Sequence, residues 1–188
     1  MRPPALLALL VLASQSRPAR EGEELLGKPA PSIEGLRWIG PGPARIEDLR
    51  GKVVLVRWWT EGCVLCERSA PAIAELAERY GEKGLVRIAI YHPKPRPRPV
   101  EEEAVKKAAA ALGFPLPLAV DPDWVVLRRW WLDRPRDFTS VSFLLDREGR
   151  IRWVHSGGEF HRSEEPSHRD CEKAFAALEA EIGRLVGR

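Results

Sequence analysis

The stretch VVLVRWWTEGCVLC, residues 53–66, decides the fold of this chain. It begins with a continuous apolar run at residues 53–56, rich in β-branched side chains, which is typical of a strand buried on both faces. We place the end of the strand at about residues 57–58 and the start of a helix near Cys63. The stretch therefore predicts a buried strand that passes through a short connection into a helix whose first turn carries two cysteines.

The two cysteines of this CxxC motif differ in position. Cys63 lies at the helix N-terminus, where unpaired backbone N–H groups and the helix dipole stabilise a thiolate. Cys66 lies one turn further on the same helix face, so the two sulfurs can meet as a disulfide. We predict that Cys63 is the nucleophile that attacks a substrate disulfide and that Cys66 resolves the mixed disulfide. Half of a zinc site and a purely structural disulfide remain open at this stage.

The hydrophobic pattern on both sides of this stretch alternates between strands and helices. A short strand is predicted within residues 33–39, and further strands at residues 86–91, 118–120, 142–145 and 151–154. Helices are predicted from the CxxC to Gly81 and at residues 101–112, 125–131 and 171–186. Helices between strands imply parallel pairs, and the tight turn at residues 146–149 adds an antiparallel pair. The sequence thus predicts an α/β fold with a mixed central β-sheet and helices on both faces.

The N-terminus has the layout of a secretory signal. Arg2 precedes the apolar run ALLALLVLA at residues 5–13, and small residues follow it. Such a run is too short to cross about 30 Å of hydrocarbon as a helix. We therefore predict a signal peptide at residues 1–16, a polar N-terminal arm at residues 17–30 and one domain at residues 31–188. The mature protein is expected to be periplasmic or secreted, with no stable membrane insertion after cleavage of the signal.

Charge and composition exclude one class of partner. The chain carries 30 Lys and Arg against 27 Asp and Glu, with both signs interspersed and a net charge of +3. No helix face carries a stripe of Lys and Arg, which a nucleic-acid-binding surface would require. We predict that the protein does not bind nucleic acid.

The residues around the CxxC resemble the active-site segment of TlpA-like proteins. In that family a strand, an aromatic pair, a CxxC and a proline five residues after the second cysteine follow in this order, as LVRWWTEGCVLC at residues 55–66 and Pro71 do here. Residues 51–54 (GKVV) and 143–149 (FLLDREG) also look like the family. The resemblance covers roughly residues 25–185 and implies a thioredoxin fold.

The resemblance also implies a function. It indicates an enzyme, a thiol-disulfide oxidoreductase whose redox-active disulfide is Cys63-Cys66, with a reductase role on the disulfides of exported proteins. Its partners would be those proteins and an upstream thiol protein that donates electrons, and no metal or other cofactor is expected. The supporting residues carried over or inferred from proximity are Trp59, Thr60, Glu61, Pro71 and Ser140. Inside a helix, Pro71 removes one backbone hydrogen bond and bends the axis.

Several positions depart from the family pattern. Ser140 occupies the position of a cis-proline, and Gly62 precedes the first cysteine where many relatives have Trp. The buried acid that assists proton transfer would fall at Arg57, and the alternative glutamate at Ser69. Glu61 is the nearest substitute base in the sequence. For Arg57 we favour a surface position over a role in holding the thiolate.

Two other functions remain open. A peroxiredoxin-like peroxidase would use Cys63 and the Thr60 before it, but the proline and arginine of that family are replaced by Val56 and Ser140. A copper chaperone on the same fold would use Cys63, Cys66 and a histidine, since soft thiolates favour copper(I). The remaining histidines and the third cysteine are scattered along the chain, which does not favour a metal site.

Residues outside the motif receive structural interpretations. We interpret Cys171 as a half-buried apolar residue rather than a third redox thiol or a ligand beside His168. Three tryptophans, Trp124, Trp130 and Trp131, are predicted to form core and groove wall, and His92 is expected to belong to a loop.

Overall fold

A computed structural model describes residues 20–114 and 117–187 of the chain, so the predicted signal peptide at residues 1–16 lies outside the described residues. The described strands are β1 (Arg37–Ile39), β2 (Val53–Trp59), β3 (Leu85–Tyr91), β4 (Leu118–Val120), β5 (Ser142–Leu145) and β6 (Ile151–His155). The described α-helices are α1 (Val64–Tyr80), α2 (Glu102–Ala111), α3 (Val125–Trp130) and α4 (Arg169–Val186).

The strands lie close to their predicted positions. The short strand expected within residues 33–39 occupies Arg37–Ile39, because Leu36 N–H donates to the Ile33 carbonyl in a turn just before it. β2 continues through Trp59, one residue beyond its expected end.

The strands form one mixed sheet in the order β1-β4-β3-β2-β5-β6. β2 pairs in parallel with β3 and antiparallel with β5, and the β5–β6 pair is antiparallel as the tight turn predicted. The C-terminal ends of β2 and β3 and the N-terminal end of β5 therefore lie on the same side of the sheet. This side carries the CxxC motif.

The side chains of β2 alternate between two apolar clusters. Leu55 and Trp59 pack into the cluster that contains the buried faces of α1, α2 and α4. Val56 and Trp58 pack on the opposite side, in the cluster that contains α3 with Trp130. Helices thus cover both faces of the sheet, as predicted. Because strand side chains alternate, Arg57 projects toward the same face as α1 and its cysteines.

The predicted aromatic core and the described part of the N-terminal arm, residues 20–30, are both part of the packed domain. Trp130 and Trp131 are buried, whereas Trp124 is partly buried against the same cluster. The arm runs beside β6: Gly27 N–H donates to the Ile151 carbonyl at 2.8 Å, and Pro29 forms a β-bridge with Arg150. Within the described ranges, no helix combines the length and the apolar composition needed to cross a bilayer.

Candidate active site

The two cysteines of the motif form a disulfide at the N-terminus of α1. Cys63 is the N-cap residue, and its sulfur accepts the Cys66 backbone N–H at 3.2 Å. The Cα atoms of the pair lie 5.2 Å apart, within the usual span of roughly 4.4–6.8 Å for a disulfide. The helix N-terminus therefore directs one backbone N–H, that of Cys66, toward the sulfur of Cys63.

The two sulfurs differ in accessibility. Cys63 is half-buried between the exposed residues Gly62 and Val64, whereas Cys66 is only 1% exposed. Ser69, at the position of the alternative family glutamate, is buried and donates to the Leu65 carbonyl within α1. Access thus favours Cys63 as the thiol that a protein substrate can reach.

Arg57 lies beneath this disulfide, and the sequence-based expectation of a surface position is wrong. The residue is buried, and its Nη2 lies 3.8 Å from the Cys66 sulfur. Its Nη1 donates to the Ser140 carbonyl and to the Ser142 hydroxyl, each at 3.0 Å. Among the described side chains, no carboxylate forms an ion pair with this guanidinium.

Arg57 remains positively charged although it is buried. Loss of solvation lowers the pKa of Arg57 to about 10, which leaves the guanidinium protonated at neutral pH. The same group acts on its neighbour His155, where burial first and then the positive charge of Arg57 lower the pKa to about 4. A buried cation without a carboxylate partner is costly. A thiolate at Cys66 would supply the missing negative charge.

This arrangement reverses the electrostatics that the family resemblance implies at the position of Arg57. A buried acid can take the proton of the resolving thiol, whereas a guanidinium cannot act as a base. Arg57 instead favours the ionised form of Cys66 through opposite charge. We therefore assign Arg57 to thiolate stabilisation, the role that the sequence analysis had ranked second.

The loop before β5 borders the exposed sulfur. The Oγ of Ser140 lies 3.8 Å from the sulfur of Cys63, and the Thr139–Ser140 peptide is trans. The proline that the family usually places here is thus replaced by a hydroxyl next to the Cys63 sulfur. Arg57 holds the Ser140 carbonyl, so the same guanidinium positions this loop and contacts the second sulfur.

Glu61 is held by several partners. Arg98 contacts one of its oxygens at 2.7 Å, and Tyr91 and Thr60 donate to the other. Burial acts to raise the pKa of Glu61, but the hydrogen bonds from Tyr91 and Thr60 and the charge of Arg98 outweigh it and leave the pKa below its usual value. This carboxylate stays ionised at neutral pH and is a weak base, which is unfavourable for the role suggested by its proximity.

A shallow groove runs beside the motif on the α1 side. Its cavity of about 390 Å³ is lined by residues that include Trp59, Gly62, Pro71 and Leu112. Trp59 is buried edge-on against Tyr91, which fixes one wall. Pro71 lies inside α1 on its exposed side. The supporting residues Trp59, Glu61 and Pro71 therefore converge at one side of the disulfide, and Ser140 lies against its exposed sulfur.

His92 lies in the loop directly after β3, as expected from the sequence, but it is buried beside the loop that carries Ser140. It is fully buried directly after β3, its backbone N–H donates to the Trp59 carbonyl, and its Nε2 lies 2.8 Å from the Thr139 hydroxyl. Burial first, and then the charge of Lys94, lower its pKa to about 3, so the ring is neutral at pH 7. The available sequence signal was its position at the end of a buried strand parallel to β2.

Cys171 does not join this site. It lies half-buried in the first turn of α4, and its thiol donates to Glu159 at 3.7 Å. Burial, followed by the negative charge of Glu159, raises the pKa of Cys171, which disfavours a reactive thiolate. In the described part of the chain, the side chains grouped closely enough to hold a metal ion do not include Cys63 or Cys66. No observation therefore favours the copper-chaperone alternative.

Fold and site together define a thioredoxin-fold protein with a CxxC disulfide at a helix N-terminus. The Redoxin family profile matches residues 25–170, and the chain belongs to this family. These findings confirm the family resemblance and the thioredoxin fold that the sequence predicted.

Individual relatives carry names of the same class. The chain is 30% identical over 140 residues to Protein DipZ of Mycobacterium bovis, covering 72% of this chain but only 19% of that protein. It is 27% identical over 113 residues to the thiol-disulfide oxidoreductase ResA of Geobacillus thermodenitrificans, covering 60% of this chain and 59% of ResA. A secreted Mycobacterium tuberculosis disulfide oxidoreductase shares the fold with a TM-score of 0.55 at 16% identity, covering 87% and 99% of the two chains.

Replacing Arg57 tests its electrostatic role. In Arg57→Met the Cys66 thiolate loses its adjacent positive charge, so the pKa of this thiol should rise and the reduced form should become less stable. We expect a lower reduction potential, by about 30 mV for each pKa unit when the thiolate dominates. The measurement is equilibration with a glutathione redox buffer, combined with the pH dependence of thiol alkylation.

Arg87→Met is the matched control. Arg87 also projects from a strand with its guanidinium partly desolvated, but it pairs with Leu55, two residues before Arg57 in β2. Its replacement should leave the potential within experimental error of the wild type. An unchanged or higher potential in Arg57→Met would contradict thiolate stabilisation by this residue.

Proposed function

We propose that this protein exchanges disulfides with exported proteins, with Cys63 as the nucleophile and Cys66 as the resolving thiol. One observation carries the proposal: the accessible sulfur caps α1 beside Ser140, while its partner is buried against Arg57. The helix N-terminus stabilises the first thiolate and the guanidinium stabilises the second. Each sulfur therefore has its own source of positive potential.

The proposed exchange has two steps. The Cys63 thiolate attacks one sulfur of a substrate disulfide, and the other substrate sulfur leaves as a thiolate. The Cys66 thiolate then attacks the Cys63 sulfur, which closes the protein disulfide and releases the second substrate thiolate. Two electrons have passed to the substrate. An upstream thiol protein would return two electrons to the Cys63-Cys66 disulfide, and reversal of the same steps oxidises a substrate dithiol.

Single cysteine variants test the assigned roles. Cys66→Ser should accumulate a mixed disulfide between Cys63 and a disulfide-containing protein substrate, because the resolving attack is lost. Cys63→Ser should form none and should lose exchange activity by at least roughly a hundredfold. Non-reducing electrophoresis and mass spectrometry of the linked peptide measure both outcomes, with Cys171→Ser as the control that retains exchange.

The same preparations separate disulfide exchange from the peroxidase alternative. The wild type is expected to reduce a protein disulfide many times faster than hydrogen peroxide in the presence of one thiol reductant. Faster turnover of peroxide, or a mixed disulfide trapped at Cys66 instead of Cys63, would reject the proposed roles.

The direction of exchange has two candidates. The family resemblance favours a reductase of exported protein disulfides, whereas Arg57 favours the reduced form of this protein and hence an oxidant of substrate dithiols. Since potentials of CxxC proteins of one fold range over roughly 150 mV, the wild-type value decides between them. We expect a reductase, with a potential near −270 mV; a value near −120 mV would establish the oxidant instead.

We further propose that the chain is exported through residues 1–16. The charged, apolar and small-residue segments of this N-terminus support the proposal. The full chain produced in a Gram-negative host should appear in the periplasm, and intact mass should place its N-terminus at Arg17. Replacing two leucines of the apolar run with arginine should retain the uncleaved chain in the cytoplasm. Cytoplasmic accumulation of the wild-type chain would contradict export.

A further inference from the structure

Four side chains with metal-ligand chemistry converge on the segment between β6 and the first turn of α4. They are Glu159, His161, His168 and Cys171, and one potential ligand atom of each lies within 4.8 Å of those of the other three. The sequence analysis regarded the histidines and the third cysteine as scattered, and this is wrong for three of them. A 3-10 turn at Pro166–His168 reverses the chain, so that His168 returns to His161 and Cys171 follows one turn later.

The donor atoms of the four residues point toward one another. Nδ1 of His168 lies 3.1 Å from Nε2 of His161 and 3.5 Å from a carboxylate oxygen of Glu159. The sulfur of Cys171 lies 3.7 Å from the same oxygen. Two imidazole nitrogens, a thiol and a carboxylate that share one small volume need either shared protons or a cation between them.

The outer contacts of the histidines orient their inner nitrogens. Nδ1 of His161 lies 3.0 Å from the Arg162 carbonyl, which can only accept a hydrogen bond, so this nitrogen carries the proton. The lone pair on its Nε2 therefore faces the cluster. Nδ1 of His168 faces this lone pair and the Glu159 carboxylate, and the outer nitrogen Nε2 lies 4.0 Å from the Glu165 carboxylate. A carbonyl partner on the outer nitrogen, as at His161, is typical of metal-bound histidines.

We propose that these four residues bind a zinc ion. Two imidazoles, one thiolate and one carboxylate are ligands that zinc accepts in tetrahedral coordination. With bond lengths of about 2.0–2.3 Å, the ligand atoms of such a site lie roughly 3.3–3.8 Å apart. The three short donor distances in the cluster, 3.1, 3.5 and 3.7 Å, fall near this range. Four protein ligands would leave no open position, so the ion has a structural role.

The zinc ion would fasten the loop that covers Arg57. Glu159 lies between Gly158, whose carbonyl is 3.5 Å from Arg57, and Phe160, whose ring lies 5.7 Å from the Arg57 guanidinium carbon. Coordination by Glu159 would join this loop to the start of α4 through Cys171. The site is separate from the Cys63-Cys66 disulfide and does not depend on the proposed exchange reaction.

Cobalt(II) replaces zinc in the test because its spectrum reports geometry and ligands. The full-length mature protein is stripped with a chelator, its active-site disulfide is kept oxidised so that Cys63 and Cys66 cannot bind, and Co²⁺ is then added. We expect one equivalent to bind with the intense visible bands of tetrahedral cobalt and a thiolate-to-cobalt charge-transfer band. Zinc should displace the cobalt and abolish these bands.

Variants identify the ligands. Cys171→Ser should lose the charge-transfer band, and both Cys171→Ser and His161→Ala should weaken cobalt binding by at least about tenfold. Glu164→Gln, a charge-removing change in the same segment but outside the cluster, should bind as the wild type does. Circular dichroism checks that each variant is folded, and disulfide exchange by Cys171→Ser should match the wild type.

The wild-type titration alone can overturn the proposal. Absence of stoichiometric binding, or binding with the weak bands of octahedral cobalt, would remove the zinc site. Unchanged spectra in folded Cys171→Ser would also do so. Loss of metal binding with intact disulfide exchange would refute this inference only, whereas metal binding by a protein inactive in exchange would refute the proposed function only.

Discussion

The contact between the buried guanidinium of Arg57 and the Cys66 sulfur is the constraint on which the active site depends. A cation in the protein interior needs polar partners, and here carbonyl and hydroxyl groups supply them without a neutralising carboxylate. Among the described groups that contact Arg57, the thiolate of Cys66 in the reduced protein can supply a negative charge. The energetic balance between disulfide and dithiol is therefore coupled to the burial of one arginine.

Arg57 also determines the shape of the surface around the disulfide. One of its nitrogens donates to the Ser140 carbonyl, and another lies 3.5 Å from the Gly158 carbonyl, so the loop before β5 and the loop after β6 meet over it. Ser140 then presents a hydroxyl, rather than a proline ring, to Cys63. The departures from the family pattern at Arg57 and Ser140 are thus neighbours in space, because Arg57 donates to the Ser140 carbonyl.

The sequence predicted those features that depend on neighbouring residues. The apolar run of β2, the helix after Cys63 and the hairpin between β5 and β6 follow from periodicity and turn chemistry, and the structure confirms them. The prediction of a surface position for Arg57 was wrong because it relied on the charge of the side chain and not on its position in a buried strand. Counting by two from Leu55 places its side chain on the α1 face, and that signal was available.

Contacts between segments that are far apart along the chain could not be predicted from the sequence. His92 reaches Thr139 only because β3 and β2 end at the same sheet edge, and His161 meets His168 only because a short turn reverses the chain. The spacing of residues along the chain does not predict such contacts. The loop after β6 is an example. At one end its residues cover the buried guanidinium of Arg57, and at the other end they bring metal-ligating side chains close together. Because the hydrogen bonds of Arg57 to Ser140 and Ser142 do not involve the second end, loss of a ligand there should leave them in place.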